Sequence, residues 1–209
     1  MIVRAYVDGF NLYYGLLRDS RLRWLDLNRL IQTVAKLKTI DKIYYFTARI
    51  AQREDDPAKP MRQEAYFRAL ATLPNVEIVF GHFLSHAVRM PKVNQRGRLT
   101  GETARVLKTE EKGSDVNLAS YLLRDAFSDV FDQAIVVSND SDLVTPLRMV
   151  CEDVQKPVLI LNPHNRPSNE LRRVATRMQK IRVGPASVSQ FPAELKDARG
   201  IIRRPKTWN

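Results

Sequence analysis

Short apolar runs rich in β-branched and aromatic residues alternate with helical patterns along this chain, and that alternation constrains the fold more than any other feature. The runs are Ile2 to Val7, Lys42 to Ile50, Val76 to Phe80, Ala134 to Val137 and Pro157 to Leu161. Between them apolar residues recur at helical spacing. Leu12, Leu16 and Leu17 form one stripe, and Leu27, Leu30, Ile31, Val34 and Leu37 form the next behind an Asp26 N-cap. Tyr66, Phe67, Leu70 and Leu73 mark a third, and Val116, Leu118, Ala119, Leu122, Leu123 and Ala126 a broad fourth. Helices are expected again over 143–150, where Pro146 falls in the first turn, and over 168–175, capped by Ser168 or Asn169. A short last strand is expected over 179–183. Strands returned by helices run parallel, so the pattern predicts an α/β fold: a Rossmann-like sandwich with a mainly parallel central sheet and helices on both faces.

Three segments interrupt the alternation. Arg53 to Pro60 reads as a charged, proline-punctuated loop. From His82 to Lys112 basic residues dominate and Pro91, Gly97 and Gly101 supply turns, which predicts a basic hairpin or long loop, with an edge strand over 105–108. From Gly184 onward prolines and basic residues surround the apolar pair Ile201 and Ile202. The expected organisation is one domain over 1–183, followed by a basic tail over 184–209 that packs against it in part.

Ala134 to Asp142, AIVVSNDSD, is the most telling stretch. An apolar strand stops at Ser138 and Asn139 and delivers Asp140 and Asp142 at its carboxyl end, where open parallel sheets bind ligands. Asp8 ends the first strand in the same way, with Gly9 read as a turn residue, and Asp115 opens a helix. Asp8, Asp115 and Asp140 can therefore converge on one sheet edge. Clustered carboxylates repel, and a divalent cation relieves that repulsion; an all-oxygen site suits Mg²⁺ or Mn²⁺. Such an ion activates water and polarises phosphate, so metal-assisted phosphodiester hydrolysis is the chemistry indicated. Asn11 can orient a water or phosphate, or serve a turn. Asp115 and Asp142 also have a simpler reading as helix N-caps. Glu111 is a solvated acid or a ligand to the same ion.

The formal net charge of +11 favours a polyanionic partner, nucleic acid above all. Arg89, Lys92, Arg96, Arg98, Lys108 and Lys112 are the candidates to hold its backbone, with Phe10, Tyr13 and Tyr14 available to stack on bases. No apolar run reaches the ~18–20 residues that span a bilayer, so no membrane partner is expected. The single cysteine, Cys151, is read as packing and fits a reducing, cytoplasmic setting. No GxGxxG follows the first strand and no GxxxxGK[ST] occurs. His82, His86 and Cys151 lack zinc spacing, and Ser138 and Ser141 lack a paired histidine. An unpaired apolar helix face would make a homodimer.

VDGFNLYYGLL, EEKGSDVNLASYLLRDA and AIVVSNDSDLVTPLRMV together resemble the three signature blocks of NYN-domain proteins, a branch of the PIN-like nuclease superfamily. The resemblance spans Ile2 to Val183. It implies a PIN-like sandwich, an acidic pocket dependent on Mg²⁺ or Mn²⁺, and single-stranded or structured RNA as substrate. It also implies that Asp8, Asp115 and Asp140 bind metal, with Asn11 a pocket residue and Asp142 an additional acid. Some relatives carry a cysteine pair before the EEKG block, whereas this chain has the basic segment there. Two rival functions fit the same resemblance: a silent RNA-binding module, and a hydroxylase of a pyridine-type aromatic, as some similar chains are described.

Overall fold

The computed structural model describes residues 1–52 and 56–208. Its strands are β1 (Val3–Asp8), β2 (Lys42–Ala48), β3 (Val76–Val93), β4 (Leu99–Lys112), β5 (Gln133–Val137), β6 (Val158–Asn162) and β7 (Arg177–Lys180). They form one seven-stranded sheet in the order β4-β3-β2-β1-β5-β6-β7. Every neighbouring pair is parallel except β3 with β4. The chain lays β2 and β3 on one side of β1 and then crosses to lay β5, β6 and β7 on the other. The carboxyl ends of β1 and β5 are thus the switch point, where adjacent connections leave in opposite directions and open a crevice.

Alternation along each strand supplies two cores. On β1, Val3, Ala5 and Val7 pack with Leu27, Leu30, Ile31 and Val34 of α2 (Leu27–Ala35) and Phe67 and Leu70 of α3 (Lys59–Leu70). Tyr6 faces the other side, with Leu118 and Leu122 of α4 (Ser114–Phe127) and Leu147 of α5 (Val144–Arg148). Burying each such aliphatic side chain contributes about 1.5–3 kcal/mol, which is why interior parallel strands are apolar on both faces. Asp26 caps α2 as expected, accepting from the Arg29 N–H at 2.9 Å. Ser168 caps α6 (Asn169–Val174) through the Leu171 N–H.

Several boundaries differ from the sequence reading. The first helix, α1 (Gly9–Leu12), starts directly after β1 and continues as a π turn over Tyr13–Leu17. The helix expected over 143–150 is a 3₁₀ turn (Ser141–Leu143), then α5, then a π turn (Met149–Asp153). The last strand lies at 177–180, where it pairs with β6. β3 does not stop at Phe80: it follows β2 as far as Gly81 and then continues with β4 as a long antiparallel hairpin. β-branched residues and cross-strand pairing sustain that extension despite its polarity. Residues 53–55 of the loop expected over Arg53–Pro60, and residue 209 of the expected tail, lie outside the described residues.

The segment 184–208 carries α7 (Val183–Val188), a hairpin of β8 (Glu194–Asp197) with β9 (Gly200–Arg203), and a 3₁₀ turn (Lys206–Trp208). Trp208 is buried against Trp24 and Tyr66, and Ile202 joins the core beneath α3. Arg68 of α3 grips Asp197 with two hydrogen bonds of 2.8 and 2.7 Å.

Candidate metal centre

Val7 of β1 lies opposite Val137 of β5, so the residues that follow, Asp8 and Ser138, emerge together at the carboxyl edge. Asp8 is 3% exposed. Both of its oxygens are held: Oδ1 accepts from the Asn11 N–H at 2.9 Å and Oδ2 from the Ser138 hydroxyl at 3.0 Å. The same hydroxyl oxygen accepts the Asp140 N–H at 3.1 Å, and Asp140 Oδ1 accepts the Asp142 N–H at 3.0 Å. Asp140, rather than Asp142, therefore caps the 3₁₀ turn. The Asn11 side-chain oxygen accepts the Asn139 N–H at 2.9 Å and ties α1 to the loop after β5. Gly9 serves a close approach: a Cβ there would stand 2.7 Å from the Phe46 carbonyl oxygen and from the Tyr45 ring. Any larger residue would push Asp8 and α1 away from β2.

Asp115 arrives from the other side. The N-cap of α4 is Gly113, and the Ser114 N–H and hydroxyl both donate to Glu111 Oε1, at 3.1 and 2.7 Å. Asp115 is thereby relieved of capping and sits exposed in the first turn. One carboxylate oxygen from each of Asp8, Asp115 and Asp140 lies within 4.8 Å of the others.

Burial chiefly pushes the Asp8 carboxyl up to about 7, and the charges of Asp115 and Asp140 add to it, overcoming the hydrogen bonds from Asn11 and Ser138. Asp115 is raised as well, by desolvation first and then by Asp140, Glu111 and Asp142. A proton on Asp8 or a cation among the three relieves this repulsion. The cluster is compatible with a metal site, and its all-oxygen donor set suits a hard divalent ion.

The acids open into a cavity of about 390 Å³ whose other walls are Phe10, Asn11, Tyr14, Phe83, Thr109, Glu111 and His164. Phe10 and Phe83 meet edge to face at 5.9 Å, and Tyr14 is 59% exposed. Sequence reasoning missed His164. It follows β6 in Asn162-Pro163-His164, so the strand-end rule that found Asp8 and Asp140 would have found it too. Its ring lies on the backbone of the π turn: a Cβ on Gly15 would stand 2.6 Å from His164 Cδ2. Its Nε2 has no hydrogen-bond partner among the described residues.

The basic candidates are dispersed. Phe83, Thr109 and Glu111 of the hairpin line the cavity, and strand alternation puts Arg89 on their face, with Arg105 as its direct cross-strand partner. Lys108 and Lys112 occupy the opposite face and pair with Glu110 at 2.7 and 3.7 Å. Lys92 is also on that face, bonded to Glu102 at 2.9 Å. Arg96 and Arg98 sit at the hairpin end, where their N–H groups donate to Asn94 Oδ1. Asp142 is exposed beside the cluster, outside the cavity wall, and acts on it through its charge. His82 and His86 also lie on the hairpin face away from the acids. Among the described residues no helix is long and apolar enough to cross a membrane.

The model of the NYN domain family matches residues 3–182. The chain is similar to 6-hydroxy-3-succinoylpyridine 3-monooxygenase HspA of Pseudomonas putida, at 26% identity over 98% of this chain and 74% of that protein. Its fold is similar to the crystal structure of a protein of unknown function from Vibrio parahaemolyticus. That likeness has a TM-score of 0.55 and 15% identity, and covers 87% of this chain and 93% of the other.

Proposed function

The chain belongs to the NYN-domain family, and from that premise we propose that it is a metal-dependent ribonuclease that hydrolyses RNA phosphodiester bonds. The observation that carries this reading is the convergence of Asp8, Asp115 and Asp140 at the switch point of the sheet. These residues would hold Mg²⁺ or Mn²⁺, which when bound supplies polarisation of a phosphate oxygen and a water of lowered pKa. The chain's own groups do the rest. Asn11 and Ser138 fix the Asp8 carboxylate so that its oxygens stay in place when it ionises. Asp142 adds negative charge beside Asp115 and Asp140, which strengthens cation binding. Tyr14, Phe10 and Phe83 offer ring faces and edges on which unpaired bases stack, a contribution of about 1–3 kcal/mol per base. The His164 ring, seated on Gly15, walls the cavity on the side away from the hairpin and helps to shape the space for the phosphate. Arg89 with Arg105, and Arg96 and Arg98 beyond, hold the backbone along the hairpin. Lys92, Lys108 and Lys112 on its other face add to the long-range field.

The test is cleavage of end-labelled single-stranded and structured RNA with Mn²⁺ or Mg²⁺, beside EDTA and an Asp140→Asn protein. Metal-dependent fragments that vanish in Asp140→Asn support the reading. RNA that binds but stays whole in every metal overturns it and leaves a binding module.

The similarity to a pyridine monooxygenase favours a second reading, hydroxylation of a small aromatic ring held between Phe10, Tyr14 and Phe83. That reaction consumes O₂ and a reductant. Oxygen uptake with a hydroxypyridine and a reduced nicotinamide would support it, and no uptake above the substrate-free rate would eliminate it.

A further inference from the structure

A second cavity, of about 400 Å³, lies at the carboxyl end of β7 and is lined by Lys36, Lys180 and Arg182, with Gln179 and Pro185 among its other walls. Among the described residues no acidic one lines it. Its framework is fixed from both sides. The Gln179 side-chain amide donates to the Val34 carbonyl at 2.9 Å, binding β7 to the end of α2 and satisfying a terminal helix carbonyl. Lys36 is the C-cap of that helix at φ +56°, with its N–H donating to the Gln32 carbonyl. Lys180 Nζ donates to Asn165 Oδ1 at 2.8 Å.

Asn165 is the chain neighbour of His164, which lines the acidic cavity, so the loop after β6 joins a lining residue of one cavity to a lining residue of the other. β7 stands two strands from β5 in the sheet, ~10 Å at the usual strand spacing. Three cations gathered without a carboxylate repel one another, and an anion among them removes that cost. The site is electrostatically the inverse of its neighbour: one cavity is lined by carboxylates, the other by cations.

We propose that Lys36, Lys180 and Arg182 form a phosphate-binding subsite that holds the backbone of the RNA strand whose reacting phosphate lies at Asp8, Asp115 and Asp140. The inference rests on the ribonuclease reading for its ligand, but not for its geometry. A strand gripped at β7 crosses the loop after β6, past His164, toward the acids. The subsite reads backbone rather than bases, so it contributes affinity without sequence preference.

Binding of a fluorescent single-stranded RNA, measured by anisotropy in EDTA over a range of salt, tests this without requiring turnover. Wild type is compared with K180Q/R182Q and, separately, with Lys36→Asn, a residue type that tolerates the left-handed backbone. The expected result is weaker binding of every sequence, with the slope of log affinity against log salt smaller by ~0.7 per phosphate contact removed. Unchanged melting temperatures show that the variants are folded. An unchanged affinity and slope in the K180Q/R182Q protein overturns the proposal. Inorganic phosphate is the second probe: amide shifts at Lys180 and Arg182 with phosphate, beside an unchanged RNA affinity in the variant, assign the site to a small anion and also overturn it. RNA that binds through these residues but is never cleaved leaves the subsite standing and refutes the ribonuclease reading alone.

Discussion

Ser138 donates its hydroxyl proton to Asp8 Oδ2 at 3.0 Å while its oxygen accepts the Asp140 N–H at 3.1 Å, so one small side chain sets the positions of two of the three clustered acids. Replacing it with alanine removes a donor that favours the ionised form of Asp8 and frees the Asp140 backbone. In metal sites, loss of such a supporting partner typically weakens metal affinity by about 10–100-fold. We expect Ser138→Ala to lower Mn²⁺ affinity within that range in calorimetric titration. A variant that binds Mn²⁺ like wild type would show the hydroxyl to be mere packing.

The metal-free protein should lose stability as pH rises. Asp8 is held at about 7 in the fold against an ordinary value of 3.8, so folding favours its protonated form. The corresponding stability is fully present below pH ~4 and is lost as pH climbs through about 7, a change on the order of 4 kcal/mol by linkage. Urea unfolding in EDTA between pH 4 and 8 should show this decline, and Asp8→Asn should flatten it. Saturating Mn²⁺ stabilises the ionised cluster and should oppose the trend at neutral pH. An equal decline in Asp8→Asn would place the titration elsewhere.

Gly15 and His164 should behave as a coupled pair. The Cβ of a Gly15→Ala protein would meet the imidazole at 2.6 Å, and forcing that contact costs about 1–3 kcal/mol and displaces the ring. Cleavage should fall in Gly15→Ala and in His164→Ala alike. In the double variant the alanine at 15 has no ring to strike and keeps only the 3.0 Å contact with the Pro163 backbone, so its stability cost should shrink, which a double-mutant cycle would read as a coupling. Additive costs would mean that the π turn relaxes elsewhere.

Asp125 offers a control remote from the cavity. It is buried in the last turn of α4 and accepts from Tyr6 Oη at 2.8 Å, Arg4 Nη1 at 3.0 Å and Arg124 Nε at 2.8 Å. Truncating it leaves the buried Tyr6 hydroxyl without its acceptor while the two arginines still reach water, typically at a cost of about 1–3 kcal/mol. Asp125→Ala should lower the urea midpoint accordingly while the folded fraction binds Mn²⁺ normally. Loss of metal affinity in protein shown to be folded would mean that the two ends of β1 are coupled.

Much of the site was readable in the chain because strand ends carry information. Asp8 and Asp140 each follow an apolar run that must be central, and a parallel sheet brings such ends to one edge whatever the exact register. His164 obeys the same rule less directly, because Asn162 and Pro163 separate it from the apolar run that ends at Leu161. Asp115 was ambiguous for a different reason. A first-turn aspartate is ordinarily a capping residue, and only the backbone at Gly113 and the bonds from Ser114 to Glu111 show that this one is not so used.

The hairpin was least legible. Its composition announced basic residues, but which of them face the acids depends on pairing register, and a slip of one residue exchanges the two faces. Hence Lys108 and Lys112 lie away from the cavity, while Arg105 shares the face of Arg89. The basic cavity at β7 was hidden altogether, since Lys36 and Arg182 are far apart in the chain and meet only because α2 packs beside the last strand. The alternation of strands and helices, the acids at strand ends and the excess of positive charge are written in the chain, because periodicity and composition are local. The tertiary structure alone decided which charges face one another, because that depends on strand order, register and helix packing, set by burial across the whole chain.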